Sequence, residues 1–206
     1  MIVIEIHKKL RAGHGQTDLH VKLQANKGSI TVIHGPSGAG KSTLLKIIAG
    51  LMQPEQGQVL IDGQAWLDTA NDINLSPQKR KAGFVFQNYA LFPNMTVRQH
   101  LEYACTDAQW IDQLLKIGAL DGLADRRPDY LSGGQQQRLA ILRAMANKPA
   151  LLLMDEPFSA LDQKTKAGLI ADLKPVWDKL QTTVIIVSHY PQELADIATQ
   201  QLYIES

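Results

Sequence analysis

The sequence contains little cysteine, no excess of either charge and no long apolar run, and each of these gaps excludes a class of protein. A single cysteine, Cys105, excludes an internal disulfide framework and is typical of a reducing compartment. The 21 lysines and arginines nearly balance the 20 aspartates and glutamates, so net charge does not favour a nucleic-acid partner. No apolar stretch approaches the roughly 20 residues of a membrane-spanning helix.

The length of 206 residues is enough for one good-sized core, with room for a small appended subdomain. Residues 1–8 turn to charged side chains too early for a secretory signal, and we expect a first strand there. A role at a membrane would need a second chain that crosses the bilayer.

The apolar pattern predicts an α/β fold built on a mostly parallel sheet. Near-continuous apolar runs that alternate with helical segments are typical of parallel strands covered on both faces. The runs at 2–6 and 19–23 are candidates for edge strands and predict an antiparallel edge-strand region. Further strands are expected at 29–33, 57–63, 83–86, 150–154, 183–187 and 201–205.

Strand signals disappear between residues 94 and 131, which predicts a helical insert. Helix-spaced apolar residues at 97–103 and 110–117 indicate two helices in this stretch. We therefore expect one domain, with a core of about 1–93 and 136–206 and a small inserted helical subdomain of about 94–135.

Three expectations concern less regular segments. Residues 64–82 are polar and predicted to be loop, and the basic run at 78–81 within them is interpreted as a solvated face. A helix through 165–173 is expected to end or kink at Pro175, because proline lacks the N–H that continues a helix.

The chain is organised around a glycine-rich stretch, residues 35–42, here called the phosphate loop. It reads Gly-Pro-Ser-Gly-Ala-Gly-Lys-Ser and matches G-x-x-x-x-G-K-[ST] at every position. Small residues let backbone N–H groups point at one anion, Lys41 adds a charge for the β- and γ-phosphates, and Ser42 offers a hydroxyl to Mg²⁺. A predicted strand precedes the loop and a predicted helix follows it, which favours nucleotide binding over a glycine-rich turn that matches by chance.

Two carboxylates follow the apolar run at 150–154. Asp155 is predicted at the carboxyl end of a buried parallel strand, where it would hold Mg²⁺ opposite Ser42. Glu156 would orient and deprotonate a water molecule for attack on the γ-phosphate. The alternative is a pair of surface acids at a strand end.

Residues 131–135, Leu-Ser-Gly-Gly-Gln, are here called the pentapeptide. Its small residues open a predicted helix and so offer a second anion-binding N-terminus. One nucleotide does not need two such helix ends far apart in sequence, so the second would serve a different nucleotide or a different copy of the chain. The alternative is a glycine-rich helix cap.

These motifs occur in an order that resembles the ATP-binding cassette (ABC) ATPase family over practically the whole chain. The order is the phosphate loop, Gln87, the pentapeptide, 151–156, Ser-Ala-Leu-Asp at 159–162, and His189. The pentapeptide separates this family from other phosphate-loop enzymes. The resemblance implies a phosphate-loop NTPase (RecA-like) fold that binds ATP and Mg²⁺.

The resemblance also implies a role for each motif residue. It assigns Glu156 as general base, His189 as the bridge between base and γ-phosphate, and Gln87 as a third catalytic-site residue. Ser42, Gln87 and Asp155 would form the Mg²⁺ side. ATP would be held by Gly35, Pro36, Ser37, Gly38, Ala39, Gly40, Lys41, Ser42 and Thr43. In a head-to-tail homodimer the partner's ATP would be reached by Ser132, Gly133, Gly134 and Gln135, with Asp162 communicating across the interface.

A single cassette without membrane spans resembles the ATPase subunit of an importer. Such a subunit would work at the cytoplasmic face of the membrane with permease subunits and, indirectly, a solute-binding protein. Residues 91–97 resemble a permease-docking segment, with subdomain core as the alternative. The chain ends earlier than most importer ATPases, so we expect no C-terminal sensor domain.

The sequence around residues 73–87 is most similar to molybdate-type importers, followed by thiamine and polyamine importers. Residues 11–17 lack the aromatic residue on which family members stack adenine, which leaves Arg11 or His14 for that contact. Two rival functions are an ATP-dependent switch that hydrolyses poorly and a small-molecule kinase with no use for the pentapeptide.

Overall fold

A computed structural model describes residues 1–12 and 15–205, with side chains for 1–10 and 17–205. Within these residues the strands are β1 (Ile2–Ala12), β2 (Gly15–Ala25), β3 (Ile30–His34), β4 (Gln56–Ile61), β5 (Gln64–Asp68), β6 (Ile73–Asn74), β7 (Gly83–Val85), β8 (Leu151–Asp155), β9 (Thr183–Val187) and β10 (Gln200–Tyr203). The α-helices are α1 (Lys41–Ile48), α2 (Pro77–Arg80), α3 (Val97–Glu102), α4 (Ala108–Ile117), α5 (Gly133–Ala146) and α6 (Gln163–Leu180). Short 3₁₀ turns cover Asp121–Leu123, Pro128–Tyr130 and Pro191–Leu194.

The described strands form two sheets of five. One is parallel in every pair, in the order β10-β3-β9-β8-β7, and the other is antiparallel, in the order β2-β1-β4-β5-β6. Alternate residues of β8 enter different cores: Leu152 and Met154 pack with the helices α3 to α6, whereas Leu151 and Leu153 pack with α1 and the antiparallel sheet. Burial on both faces requires continuous apolar strands, and the predicted α/β class with a parallel sheet and an antiparallel region is confirmed.

The segment predicted as an insert carries helices and turns between β7 and α5. Thr96 begins α3 with a capping box, in which its hydroxyl accepts the Gln99 N–H while the Gln99 side chain accepts the Thr96 N–H. The Asp107 side chain caps α4 by accepting the Trp110 N–H. Both caps use side-chain oxygens to satisfy N–H groups that have no partner inside the helix. The boundary of the helical subdomain at about 94–135 stays a prediction. In the described residues, no helix combines the length and apolar character needed to cross a bilayer.

The structure corrects the prediction that both N-terminal strands lie at an edge. β2 forms the edge, but β1 lies inside the sheet, because Ile2–His7 of β1 pairs with β4 on the side away from β2. The sequence showed only short apolar runs, whereas β1 continues to residue 12, and Leu10 of β1 and Leu19 of β2 lie against Gly40 of the phosphate loop.

The prediction that residues 64–82 are loop is wrong. This segment contains β5, β6 and α2, and Trp66 and Leu67 of β5 are both buried. Two adjacent buried residues break the alternation expected of a strand, and a register shift in the β4–β5 pairing accommodates them. The polar residues that follow satisfy the turn, in which Asp68 accepts the N–H groups of Ala70 and Asn71.

The helix α6 does not end at Pro175 but continues to Leu180. Proline inside a helix costs about 3 kcal/mol through its missing N–H and a steric clash. Leu173 and Trp177 lie on either side of Pro175 and are both buried against the parallel sheet. Burial of two large apolar side chains, at about 2 kcal/mol each or more, outweighs that cost.

The basic run at 78–81 is not a uniformly solvated face, because Arg80 is only 2% exposed. Its guanidinium donates to the carbonyl oxygens of Ile47 and Ile48, both at 2.8 Å, at the C-terminus of α1. Burial lowers the pKa of Arg80 to about 10, which leaves the group charged at neutral pH. Arg80 therefore caps the negative end of the α1 dipole.

Replacement of Arg80 by methionine is expected to lower the free energy of unfolding by about 2–4 kcal/mol, because buried carbonyls lose a charged donor. Urea denaturation measures this loss. Lys79→Met, at the exposed neighbour in α2, is the matched control and should leave stability within about 0.5 kcal/mol of the wild type. Equal stability of the two variants would contradict a capping role for Arg80.

Candidate functional site

The phosphate loop joins the end of β3 to the start of α1. Gly35 and Gly40 both have positive φ, of 148° and 90°. A Cβ at Gly35 would collide with the backbone oxygen of Ile204, and one at Gly40 would lie 2.7 Å from Cδ1 of Leu10. Only glycine satisfies both conditions at these positions, and it lets the loop pass close to Ile204, directly after β10, and to the β1–β2 hairpin.

Lys41, the first residue of α1, points back over this loop. Its Nζ donates to the carbonyl oxygens of Gly35 at 2.9 Å and Pro36 at 2.7 Å. Burial lowers the pKa of Lys41, while the charges of Glu156 and Asp155 act in the opposite direction. A desolvated ammonium held by two neutral carbonyls is well prepared to exchange them for phosphate oxygens.

A cleft of about 500 Å³ opens beside Lys41. Of the residues predicted to hold nucleotide or metal or to act in catalysis, those that line it are Ser37, Gly38, Gly40, Lys41, Ser42, Thr43, Gln87, Glu156 and His189. Gly35, Pro36, Ala39 and Asp155 do not line it, and Ala39 is buried in the core. The loop thus presents residues 37–38 and 40–42 to the cleft, whereas Gly35 and Ala39 lie against other parts of the fold.

Asp155 ends β8 and is only 4% exposed. Its Oδ1 has no hydrogen-bond partner in the described part of the chain. A buried carboxylate oxygen without a partner is unfavourable unless a cation or a ligand approaches it. Its donor chemistry, together with the Ser42 hydroxyl and the Gln87 amide in the cleft, fits Mg²⁺, which prefers oxygen ligands.

Glu156 and His189 meet in the cleft although they follow different strands. The Nε2 of His189 lies 2.8 Å from Oε1 of Glu156. The backbone of Glu156 has a φ of 51°, which is uncommon for a residue with a side chain, and its N–H donates to the Val187 oxygen at 3.1 Å. This strained conformation therefore occurs at the residue whose carboxylate contacts His189.

The pentapeptide lies outside this cleft. Ser132 caps α5, since its hydroxyl accepts the Gln135 N–H at 3.3 Å and the Gln135 side chain accepts the Ser132 N–H at 2.8 Å. Ser132 and Gly133 are exposed. Asp162, also exposed, caps α6 by accepting the Thr165 N–H at 3.0 Å, and hydrogen bonds from Thr165 lower the pKa of Asp162. None of the residues Ser132, Gly133, Gly134, Gln135 and Asp162 lines the cleft.

Comparison with known proteins adds the family to this geometry. A family model described as ABC transporter matches residues 19–159, which is more than half of the chain. The chain belongs to the ABC transporter family.

Several proteins similar to this ABC ATPase domain are import ATP-binding proteins. It is 41% identical to the sulfate/thiosulfate import ATP-binding protein CysA of Mesostigma viride over 97% of its length. It is 39% identical to the molybdenum import ATP-binding protein ModC of Haemophilus ducreyi over 100% of its length. The chain spans 58% of the length of each of these two relatives.

A solved structure of an ABC cassette also matches the fold. The dimeric post-hydrolysis state of the ATP-binding cassette MJ0796, bound to ADP and Pi, superposes with a TM-score of 0.83 at 33% identity. The match covers 99% of this chain and 94% of that one. The resemblance to importer-type ABC ATPases that the motifs indicated is confirmed, and molybdenum import proteins are among the relatives as expected.

Sequence reasoning missed part of the cleft of this ABC domain. Lys8, Lys9 and Leu10 from β1 and Met52 after α1 also line it. No motif marks these residues. The proximity of Leu10 to Gly40 is evident only in the fold. The proposed stacking of adenine on Arg11 or His14 lies outside the described side chains.

Proposed function

We propose that this chain is the ATP-hydrolysing subunit of an ABC importer, which works as a head-to-tail homodimer. The observation that carries the proposal is the convergence, in one cleft, of Lys41 on the phosphate loop with the Glu156–His189 pair. In this arrangement Lys41, a phosphate-binding cation, and Glu156, a base oriented by His189, would contact the same bound nucleotide.

The phosphate loop would bind the triphosphate of ATP. Lys41 would exchange the carbonyl oxygens of Gly35 and Pro36 for β- and γ-phosphate oxygens, and the N-terminus of α1 would add its free N–H groups. Ser42, Gln87 and Asp155 would hold Mg²⁺, which neutralises charge on the phosphates.

Glu156 would act as the general base. Its carboxylate accepts a proton from the water that attacks the γ-phosphorus, and the bond from the γ-phosphorus to the bridging oxygen breaks. His189, at 2.8 Å from Glu156, would keep the carboxylate oriented and reach toward the γ-phosphate. ADP and phosphate leave as products.

The location of the pentapeptide supports a shared site. It lies on an exposed helix N-terminus and does not line the cleft of its own chain, so it is free to reach the ATP of a second copy. A matching cassette structure is dimeric and carries ADP and Pi. ATP would then join two copies, with Asp162 near the contact, and hydrolysis would remove the ligand that joins them.

The relatives' names support import as the process that ATP binding and hydrolysis by this chain would drive. The chain would attach to permease subunits at the cytoplasmic face of a membrane, with a solute-binding protein delivering cargo from the other side. Sulfate, thiosulfate and molybdate, the cargo classes suggested by the relatives, are all oxyanions, so we favour an oxyanion over thiamine or polyamines. These names also favour transport over an ATP-dependent switch.

Permease docking would use the segment 91–97, whose residues differ in burial. Val97 is fully buried in the core, whereas the Phe92 side chain is exposed. Buried His100 accepts the Phe92 N–H at 2.9 Å, and Arg143 of α5 donates to the oxygens of Tyr89 and Ala90. Burial lowers the pKa of His100, which favours the neutral ring that this acceptor role needs. The segment therefore presents an apolar ring from a firmly held backbone.

Phe92→Ala is expected to weaken assembly with co-expressed membrane subunits by about tenfold or more, because an exposed aromatic anchor is lost. ATP turnover of the isolated subunit should stay at the wild-type value. Detergent-solubilised complexes, quantified after affinity purification, measure the assembly. Ile73→Ala removes a similarly exposed apolar side chain from β6 and serves as the control. Equal assembly of both variants would contradict docking at Phe92.

The test of the function itself is steady-state phosphate release with and without Mg²⁺. The proposal expects turnover only with the metal and water as the acceptor. Transfer of phosphate to a small-molecule acceptor would favour the kinase alternative.

A further inference from the structure

Gln137 is a fully buried polar residue in the second turn of α5. Neither the phosphate loop nor the pentapeptide includes it, and it does not line the nucleotide cleft. A buried amide is unfavourable unless its donors and acceptor find partners, so its contacts indicate what it holds.

All contacts of the Gln137 amide lie on the segment that follows β8. Its Nε2 donates to the backbone oxygen of Glu156 at 3.2 Å and to Oγ of Ser159 at 3.3 Å. Its Oε1 accepts the N–H of Ala160 at 3.1 Å. One side chain therefore bridges residues 156–160 from both ends.

This bridge adds to the support of the strained Glu156 backbone. The N–H of Glu156 is bound to Val187 of β9, and its oxygen accepts from Gln137 and from the N–H and hydroxyl of Ser159, whose hydroxyl Gln137 also contacts. A left-handed φ at a residue with a side chain persists only where the surroundings hold it. With both peptide groups held, the carboxylate of Glu156 stays at its 2.8 Å contact with His189.

Gln137 also belongs to the helix that begins at the pentapeptide. A rigid α-helix transmits a shift of its first turn to its second turn. A displacement of Ser132 against a second copy would therefore move the amide that holds Glu156 in the same chain.

We propose that Gln137 is a positioning residue, which holds Glu156 in its catalytic conformation and links it to the pentapeptide of the same subunit. The catalytic part of this inference rests on the proposed ATPase function. Its geometric part does not, because it concerns the conformation of Glu156 alone.

Gln137→Met tests the link, since methionine has a similar length and no amide. We expect kcat for ATP to fall by about 10²-fold, as a misplaced catalytic group predicts, with KM and ATP-induced dimer formation unchanged. Thr182→Val is the control: it removes a buried hydrogen bond, from Thr182 to the Pro149 oxygen at 3.0 Å, on the opposite end of β9 from the site. Both variants should lose stability, but only Gln137→Met should lose kcat.

A crystal structure of Gln137→Met supplies a readout that does not depend on activity. We expect Glu156 to leave its positive φ and its carboxylate to separate from His189. An unchanged Glu156 conformation, or a kcat equal to that of Thr182→Val, would overturn the inference. A wild-type protein without ATPase activity would instead refute the proposed function, and the crystal structure would still decide the positioning role.

Discussion

Replacement of Glu156 by glutamine is expected to lower the rate of ATP hydrolysis by about 10²–10⁴-fold, the range for loss of a general base. Glutamine keeps the size of the side chain and its hydrogen bonding toward His189, but it cannot accept a proton from water. ATP affinity should stay near the wild-type value, because Lys41 and the rest of the phosphate loop remain in place.

Two measurements check this result. Steady-state phosphate release gives the turnover, and size-exclusion chromatography with Mg²⁺ and ATP shows whether the variant accumulates as an ATP-bound dimer. Glu102→Gln, at an exposed carboxylate that ends α3, controls for the loss of one negative charge. Turnover of Glu156→Gln equal to that of the control would remove Glu156 as the base.

Sequence patterns located the parallel sheet well because its strands are buried on both faces. The predicted strand at 183–187 agrees with β9 at both ends, and that at 150–154 is displaced by one residue from β8. A strand with two buried faces is mostly apolar, so the apolar run marks its bounds closely. The displacement at β8 arises because the polar Asp155 belongs to the strand. The phosphate loop was equally predictable from the sequence, since the glycines of its motif stand where the backbone geometry requires glycine.

The features that the sequence concealed depend on contacts between distant segments. The basic run at 78–81 is typical of a solvent-exposed surface. Only the fold reveals that Arg80 reaches the end of α1, more than thirty residues away in sequence. Pro175 predicted a helix end or kink, because the sequence shows the cost of a proline in a helix but not the burial of Trp177. Gln137 gave no signal for the same reason, since its partners lie after a different strand.

The pentapeptide is predicted to contact the ATP of a second copy, and the fold supports this because the pentapeptide does not line the cleft of its own chain. Its exposed N-terminal cap lies outside the cleft of its own subunit, and a second copy is free to approach this cap. Ser132→Arg would place a long cation where the partner's nucleotide is expected to lie. Turnover should fall by about 10²-fold or more, because hydrogen-bond donors aimed at the reacting phosphate are displaced.

Nucleotide binding by the phosphate loop of the same chain should persist, and fluorescent ATP binding measures it. Loss of the cap itself costs about 1 kcal/mol of stability, so the control must lose a cap as well. Thr96→Arg removes the equivalent capping box of α3 and adds the same charge, but it lies outside the pentapeptide. It should keep its turnover.

A mixture of two inactive variants gives the decisive result. Ser132→Arg retains an intact phosphate loop, and Lys41→Ala retains an intact pentapeptide. In a mixed dimer with shared sites, one site combines both intact parts, and the mixture should regain part of the wild-type turnover. If each chain instead completes its own site, neither variant repairs the other and the mixture stays inactive.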